Sequence, residues 1–244
     1  LMLYRYLAAV STAMILTVSQ AAGEVVTLYT EEAPPYSTIV GNRIRGLSVD
    51  IVKTLFDRSK LQYEIQMLPL KRAIYTTLLE TNSCVFPLER NQEREVEFHW
   101  VSPVLLSQTA FYVLKNSGIE IRTLEDVEGY IVGSYSGSAT ANYLASQGIK
   151  TSVIPYDAPN IRMLENKRID IWASDTLVAD YLLKQNRNTN IEKKLVYFTT
   201  LRALACNLEF PPTAIERLSE NLAEMYRDGT IQRLMDKYQS SVLN

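Results

Sequence analysis

The 244-residue chain carries 25 basic and 27 acidic side chains, a formal charge of −2, and is 47% hydrophobic and 21% charged. These proportions exclude a disordered, collagen-like or disulfide-scaffold chain, and the length suits one large domain or two small lobes. Near-balanced charge provides no field for tracking phosphates, so no nucleic acid partner is expected. One histidine and two cysteines leave little for a metal site, and no cofactor is expected either.

Residues 1–22 read as an export signal. Arg5 supplies the positive end, Leu7 to Val18 the apolar stretch, and Ser19-Gln20-Ala21 a small-x-small cleavage pattern, with cleavage after Ala21 or Ala22. The apolar run is shorter than the roughly 18 to 20 residues that span a bilayer. An uncleaved N-terminal anchor is the alternative. Arg5 is the only charged residue in this segment, so its removal leaves a mature charge of −3. No cysteine follows the cleavage region, which argues against a lipid anchor. After export, Cys84 and Cys206 form either one bridge or two buried thiols.

Along the mature chain, VVTLYT (25–30) reads as a strand, and Pro34 and Pro35 keep EEAPPYST out of any regular ladder. LSVDIVKTLFDRS (47–59) places Leu47, Ile51, Leu55 and Phe56 on one helical face, YEIQML (63–68) alternates like a strand, and LKRAIYTTLLE (70–80) is helical in period. CVFPL (84–88) and FYVLKN (111–116) are further short strands. A helix-like TLEDVEG (123–129) opens a second cycle of strands and helices, LVYFTT and LRALACN follow as strands, and 212–239 closes with one or two helices, Gly229 standing where a C-cap would separate them. Alternating short strands and helices predict an α/β fold with mainly parallel sheets covered on both faces. Both halves repeat the same βαβ order, which suggests two similar lobes and a cleft.

Motifs for catalysis are weak. His99 is the only imidazole, and it stands beside Trp100 in VEFHWVSP, a setting for a packing or surface residue. GSYSG (133–137) has Tyr135 where a nucleophile elbow requires Ser, and neither a Walker loop nor a full dinucleotide fingerprint is present. No enzymatic activity is expected.

Three segments instead place polar groups where strands give way to loops or helices, the ligand edge of an open α/β sheet. Arg94 follows CVFPL, Gly137 and Ser138 open a helix whose free amides suit an anion, and Asp175 stands between a strand and a helix. A guanidinium fork, a helix N-terminus and a carboxylate suit a ligand bearing a carboxylate and an ammonium group. Each also has a plainer reading: Asp175 as a helix cap, Arg94 as a solvated charge, Ser138 as a turn residue.

APPYS followed by GLSVDIV, NQEREVEF with the following Trp and Ser-Pro, VGSYSGSATANYL and the closing MYRDGTIQRLMDKY together resemble the bacterial extracellular solute-binding proteins of family 3, the polar amino-acid binders of ABC importers. The resemblance covers nearly the whole mature chain and implies a two-lobed periplasmic-binding-protein fold (type II) with a two-stranded hinge. It places lobe 1 at 23–106 and 203–244 and lobe 2 at 107–202. It implies a periplasmic, monomeric protein that closes on a small polar ligand, an amino acid, and presents it to a membrane ABC permease. Two rival roles remain on the same fold: a sensory module for a receptor or kinase, and a dehydratase-like enzyme.

By the same resemblance, Arg94 grips an α-carboxylate and Asp175 takes an α-ammonium. Ser138 and the amide of Ala139 complete the carboxylate site, Tyr36 lines the cleft wall, and Leu70 is an apolar contact. The chain departs from the family where Asn91 replaces a common Thr and where Pro87, Leu88, Glu89 and Arg90 replace small residues. Arg72 and Arg90 either read an acidic side chain or form surface ion pairs. The implied fold also makes the strands of Cys84 and Cys206 antiparallel neighbours, so a bridge would tie lobe 1 together without crossing the cleft.

Overall fold

A computed structural model describes residues 24–187 and 190–243; the expected export signal at 1–22 lies outside them. The chain begins with β1 (Val26–Thr30), β2 (Thr38–Val40), β3 (Arg43–Arg45), α1 (Leu47–Arg58), β4 (Tyr63–Met67), α2 (Leu70–Leu79) and β5 (Ser83–Glu89). It continues through β6 (His99–Leu114), β7 (Val132–Tyr135), α3 (Ala139–Ser146), β8 (Thr151–Ile154), α4 (Asn160–Glu165), β9 (Ile171–Asp175) and α5 (Thr176–Gln185). The last elements are β10 (Ile191–Cys206), α6 (Pro212–Arg227) and α7 (Thr230–Leu243).

Eight strands form one sheet in the order β4-β1-β5-β10-β6-β9-β7-β8. The outer trios β4-β1-β5 and β9-β7-β8 are parallel. Between them, β6 and β10 run antiparallel to each other and to their outer neighbours. At about 3.3 Å per residue, these two 16-residue strands each reach roughly 50 Å. The end of β10 pairs with β5, while the far stretch of β6 pairs with β9. Two α/β halves therefore share one pair of long central strands. Parallel interior strands have helices over both faces, and accordingly every residue of β5 and β9 is buried.

The helices follow their apolar spacing. α6 buries Ala214, Leu218, Leu222 and Met225, at intervals of three and four. Gly229, with φ +74°, separates α6 from α7, and Pro212 occupies the first position of α6, where its missing N–H is harmless. Among the described residues no helix is long and apolar enough to cross a membrane.

Three local expectations are corrected. FYVLKN is the end of β6, which begins at His99, and LVYFTT with LRALACN form the single strand β10. Pro103 inside β6 obscured the first of these; it and Pro87 of β5 face register breaks around Leu204, where the ladder is interrupted. TLEDVEG yields one 3-10 turn at Glu125–Val127, anchored when Asp126 accepts from the amides of Arg122 and Thr123. After the Pro pair the chain forms the hairpin β2-β3, whose two-residue turn is Gly41-Asn42 with Gly41 at φ +60°, a hairpin signal that the sequence reading passed over.

Cys84 and Cys206 are directly opposed in the β5-β10 ladder and are joined by a disulfide. The expected antiparallel neighbourhood thus brings together residues 122 apart in sequence.

Candidate functional site

The centre of the molecule is held by a residue with no motif around it. Arg202 lies on β10 and is only 3% exposed. Its Nε donates to Ser107 Oγ at 2.8 Å, and Nη2 reaches Glu89 Oε1 at 3.3 Å and Asp175 Oδ2 at 3.4 Å. The guanidinium also lies 5.1 Å from the centre of the Tyr36 ring. A buried guanidinium requires such partners, because leaving either side of the pair alone in a low dielectric costs several kcal/mol.

Glu89, the last residue of β5, faces two ways. One carboxylate oxygen meets Arg202; the other accepts from the Ala139 amide at 2.7 Å, at the start of α3. Ser138 caps α3 by accepting from the Ala141 amide at 3.0 Å. The helix start is therefore an anion site, as its sequence suggests, and the chain's own Glu89 carboxylate occupies it.

Arg94 is buried near the same point, but its fork addresses carbonyl oxygens. Nη1 donates to Glu89 O at 3.2 Å and Nη2 to Gly137 O at 2.6 Å, across to the turn before α3. Gly137 has φ +90°, and a Cβ there would approach the Lys71 amide to 3.1 Å, so this turn requires glycine as it crosses above α2. Leu70 is buried beneath it.

Asp175 caps α5, accepting through Oδ1 from the amides of Leu177 and Val178 at 3.0 and 3.1 Å. The Tyr36 hydroxyl donates to the same carboxylate at 3.1 Å. Gly46 fixes Tyr36 in place: its φ is +143°, and a Cβ would lie 2.1 Å from the Tyr36 carbonyl oxygen. Burial pushes the Asp175 carboxyl upward, opposed by Arg202, the helix amide and Tyr36.

Arg94, Ser138, Ala139, Asp175 and Tyr36 thus meet around Glu89 and Arg202, and Leu70 packs beneath the Gly137 turn. Arg72 and Arg90 stand apart. Arg72 is exposed on α2; Arg90 pairs with Glu95 and lies over the Trp100 ring. Neither lines the adjoining cavity.

That cavity measures about 500 Å3 and lies between the two halves of the sheet, within the range of small-ligand sites. Glu31, Met67 and Pro69 face Tyr135, Asp157 and Val178 across it. Tyr135 donates to Glu31 Oε1 at 3.3 Å. Asp157 accepts from Trp172 Nε1 at 2.8 Å, from Asn160 Nδ2 at 3.1 Å and from the Ser174 hydroxyl. Burial raises both acids, Glu31 to about 8, with Arg202 pulling Glu31 down and Glu89 adding to the rise. Sequence reasoning passed over Glu31, Tyr135, Asp157 and Arg202 as site residues. Only Arg202 carries a local signal, a lone charge in the apolar run LRALAC.

The chain is 23% identical over 213 residues to ABC transporter arginine-binding protein 1 of Escherichia coli (strain K12), covering 84% of this chain and 86% of that protein. Its fold matches an ancestral arginine-binding protein bound to arginine with a TM-score of 0.78 at 22% identity, covering 88% and 97% of the two chains. A histidine kinase sensor domain with similarity to periplasmic binding proteins matches with a TM-score of 0.83 at 18% identity, covering 88% and 96%. The fold is therefore that of the two-lobed periplasmic binding proteins. Because the profile of bacterial extracellular solute-binding proteins, family 3, matches residues 25–241, the chain belongs to that family.

Proposed function

We propose that this protein is exported to the periplasm, captures a small polar solute, and delivers it as a monomer to an ABC permease. Amino acids, the class named for its relatives, are the reference solutes. Lobe 1 would comprise 23–106 and 203–244, and lobe 2 107–202, with β6 and β10 as the hinge. The cavity between the halves, walled by carboxylates from both, carries the reading. A solute touching Glu31 on one side and Asp157 on the other gains both contacts only when the lobes are together. Differential contact of this kind is how a ligand shifts a closing equilibrium.

A thermal-shift screen with amino acids, amines, organic acids and small peptides, followed by small-angle scattering, tests the reading. A true ligand raises the melting temperature and compacts the protein. Failure of every class to do either would sink solute capture. The likeness to a kinase sensor domain supports a second role, in which the closed form reports to a receptor. Solute-dependent co-purification with a permease, rather than with a receptor, decides for transport. Turnover of a bound solute would instead support the enzyme reading.

A further inference from the structure

The wall of the cavity carries acid and hydrocarbon without a base. Glu31, Glu32, Asp157 and Asp175 line it, no Lys, Arg or His among the described residues does, and the remaining surface is mainly apolar. Arg202, behind the wall, is engaged by Glu89, Asp175 and Ser107.

Three of the four acids have conspicuous partners. Glu32 holds the Thr38 hydroxyl and the Ile39 amide, Asp157 holds three donors, and Asp175 caps α5. Glu31 differs. It is only 6% exposed, its Oε1 has the long contact to Tyr135, and its Oε2 receives no hydrogen bond among the described residues. A largely buried acid at the cavity wall with one long hydrogen bond has capacity left for a donor that enters the cavity. Among the described residues no three Asp, Glu, His or Cys side chains converge to hold a metal ion.

The anion end of the site is closed from within. Glu89 fills the α3 N-terminus and Arg94 is bound to two carbonyl groups. A ligand carboxylate entering the cavity would meet four acids instead. We propose that the cavity takes an organic cation, an amine or guanidinium on an apolar body without a carboxylate, its head beside Glu31 and Asp157 and its hydrocarbon against Met67, Tyr156 and Leu182. This rests on the solute-capture reading and narrows the solute.

The site also carries a pH signature. Glu31 is surrounded by Arg202, Glu89, Asp157, Asp175, Glu32 and Tyr135, and burial sets its titration near pH 8. A bound cation favours the ionised form, so below that pH it must displace a proton. Affinity therefore rises as pH approaches 8, by up to about tenfold per unit, and levels off above it.

Calorimetry with phenethylamine, phenylalanine and 3-phenylpropanoate provides the test, because the three share one apolar body and differ in charged groups. Phenethylamine should bind at least about tenfold more tightly than either of the others, a preference of about 1.4 kcal/mol. Between about pH 6.5 and 8.5 its affinity should rise, since an alkylammonium resembling that of Lys titrates higher. Glu31→Gln should flatten that rise while the variant stays folded, as its circular dichroism spectrum reports. Tighter binding of phenylalanine or 3-phenylpropanoate overturns the inference and leaves solute capture standing. Absence of phenethylamine binding at about 1 mM also overturns it, and the broader solute screen then reports separately on capture. A pH profile unchanged by Glu31→Gln removes Glu31 as the cation's partner.

Discussion

Two buried acids, Glu89 and Glu31, lie close to the same arginine and have opposite circumstances. Glu89 has Arg202 on one oxygen and the α3 amide on the other. Glu31 has one long contact from Tyr135 and lines the cavity. The first acid completes the protein's own structure, while the second leaves a bond for something else to make. In a family whose relatives include amino-acid binders, the difference relocates the expected anion site. This chain supplies the carboxylate itself.

The largest test of that contrast is Glu89→Ala. It leaves Arg202 with one fewer carboxylate and empties the α3 N-terminus, so stability should fall by about 3 to 5 kcal/mol, the scale for removing one partner of a buried pair. Urea denaturation measures the loss. The same variant should gain affinity for amino acids relative to the matching amines, because the helix start becomes free for a ligand carboxylate. If it stays as stable as the native protein and keeps its ligand preference, the internal-anion account fails.

Replacing Cys84 and Cys206 by Ser tests a part of the fold that both acids share. β5 carries Cys84 and Glu89, and β10 carries Cys206 and Arg202. Loss of the bridge should cost about 2 to 4 kcal/mol by denaturant melting. Binding should survive at a temperature where the variant remains folded, since the bridge lies within one half of the sheet. Loss of binding in a folded variant would show that the bridge also positions the site.

Glu31 gives an effect that appears only as pH changes, with a defined sign. Its folded-state titration lies near pH 8, above the usual carboxylate value of about 4.3. In the folded protein it holds its proton where the unfolded chain has released it, so its contribution is full below the unfolded value and is lost as pH rises through about 8. The ligand-free protein should therefore lose stability toward alkaline pH, by at most about 1.4 kcal/mol per unit from this group. Glu31→Gln should remove that slope. Melting curves from pH 5 to 9 that coincide for native protein and variant would contradict it.

Arg90→Ala should do least. Its pairing with Glu95 is open to solvent and screened, and it lies outside the cavity. Melting temperature and ligand affinity should match the native values within error. A marked loss of affinity would place Arg90 in the path of the solute.

Much of the architecture was visible in the residue order. The apolar faces of α1 and α6, the strand at Cys84, the break at Gly229 and the ligand edge at Ser138 and Asp175 are local matters of period, turn chemistry and capping. The cysteine pairing followed once neighbouring strands were assigned by resemblance. The long strands β6 and β10 were less visible because Pro103 and a mixed burial pattern divide them into shorter runs. The hairpin β2-β3 has a Gly-Asn turn at 41 and 42, but its three-residue strands are too short to show a period.

The sequence by itself determined the covered α/β alternation and supplied the side chains that meet at the ligand edge. It could not assign their hydrogen-bond partners. Whether Arg94 grips a solute or a backbone carbonyl depends on Gly137, 43 residues away in the chain. Whether the α3 N-terminus receives a ligand depends on Glu89, 50 residues before Ala139. Tertiary structure decided these questions because a buried charge takes the nearest oriented donor or acceptor, and nearness across two folded halves has no local period for a sequence to display.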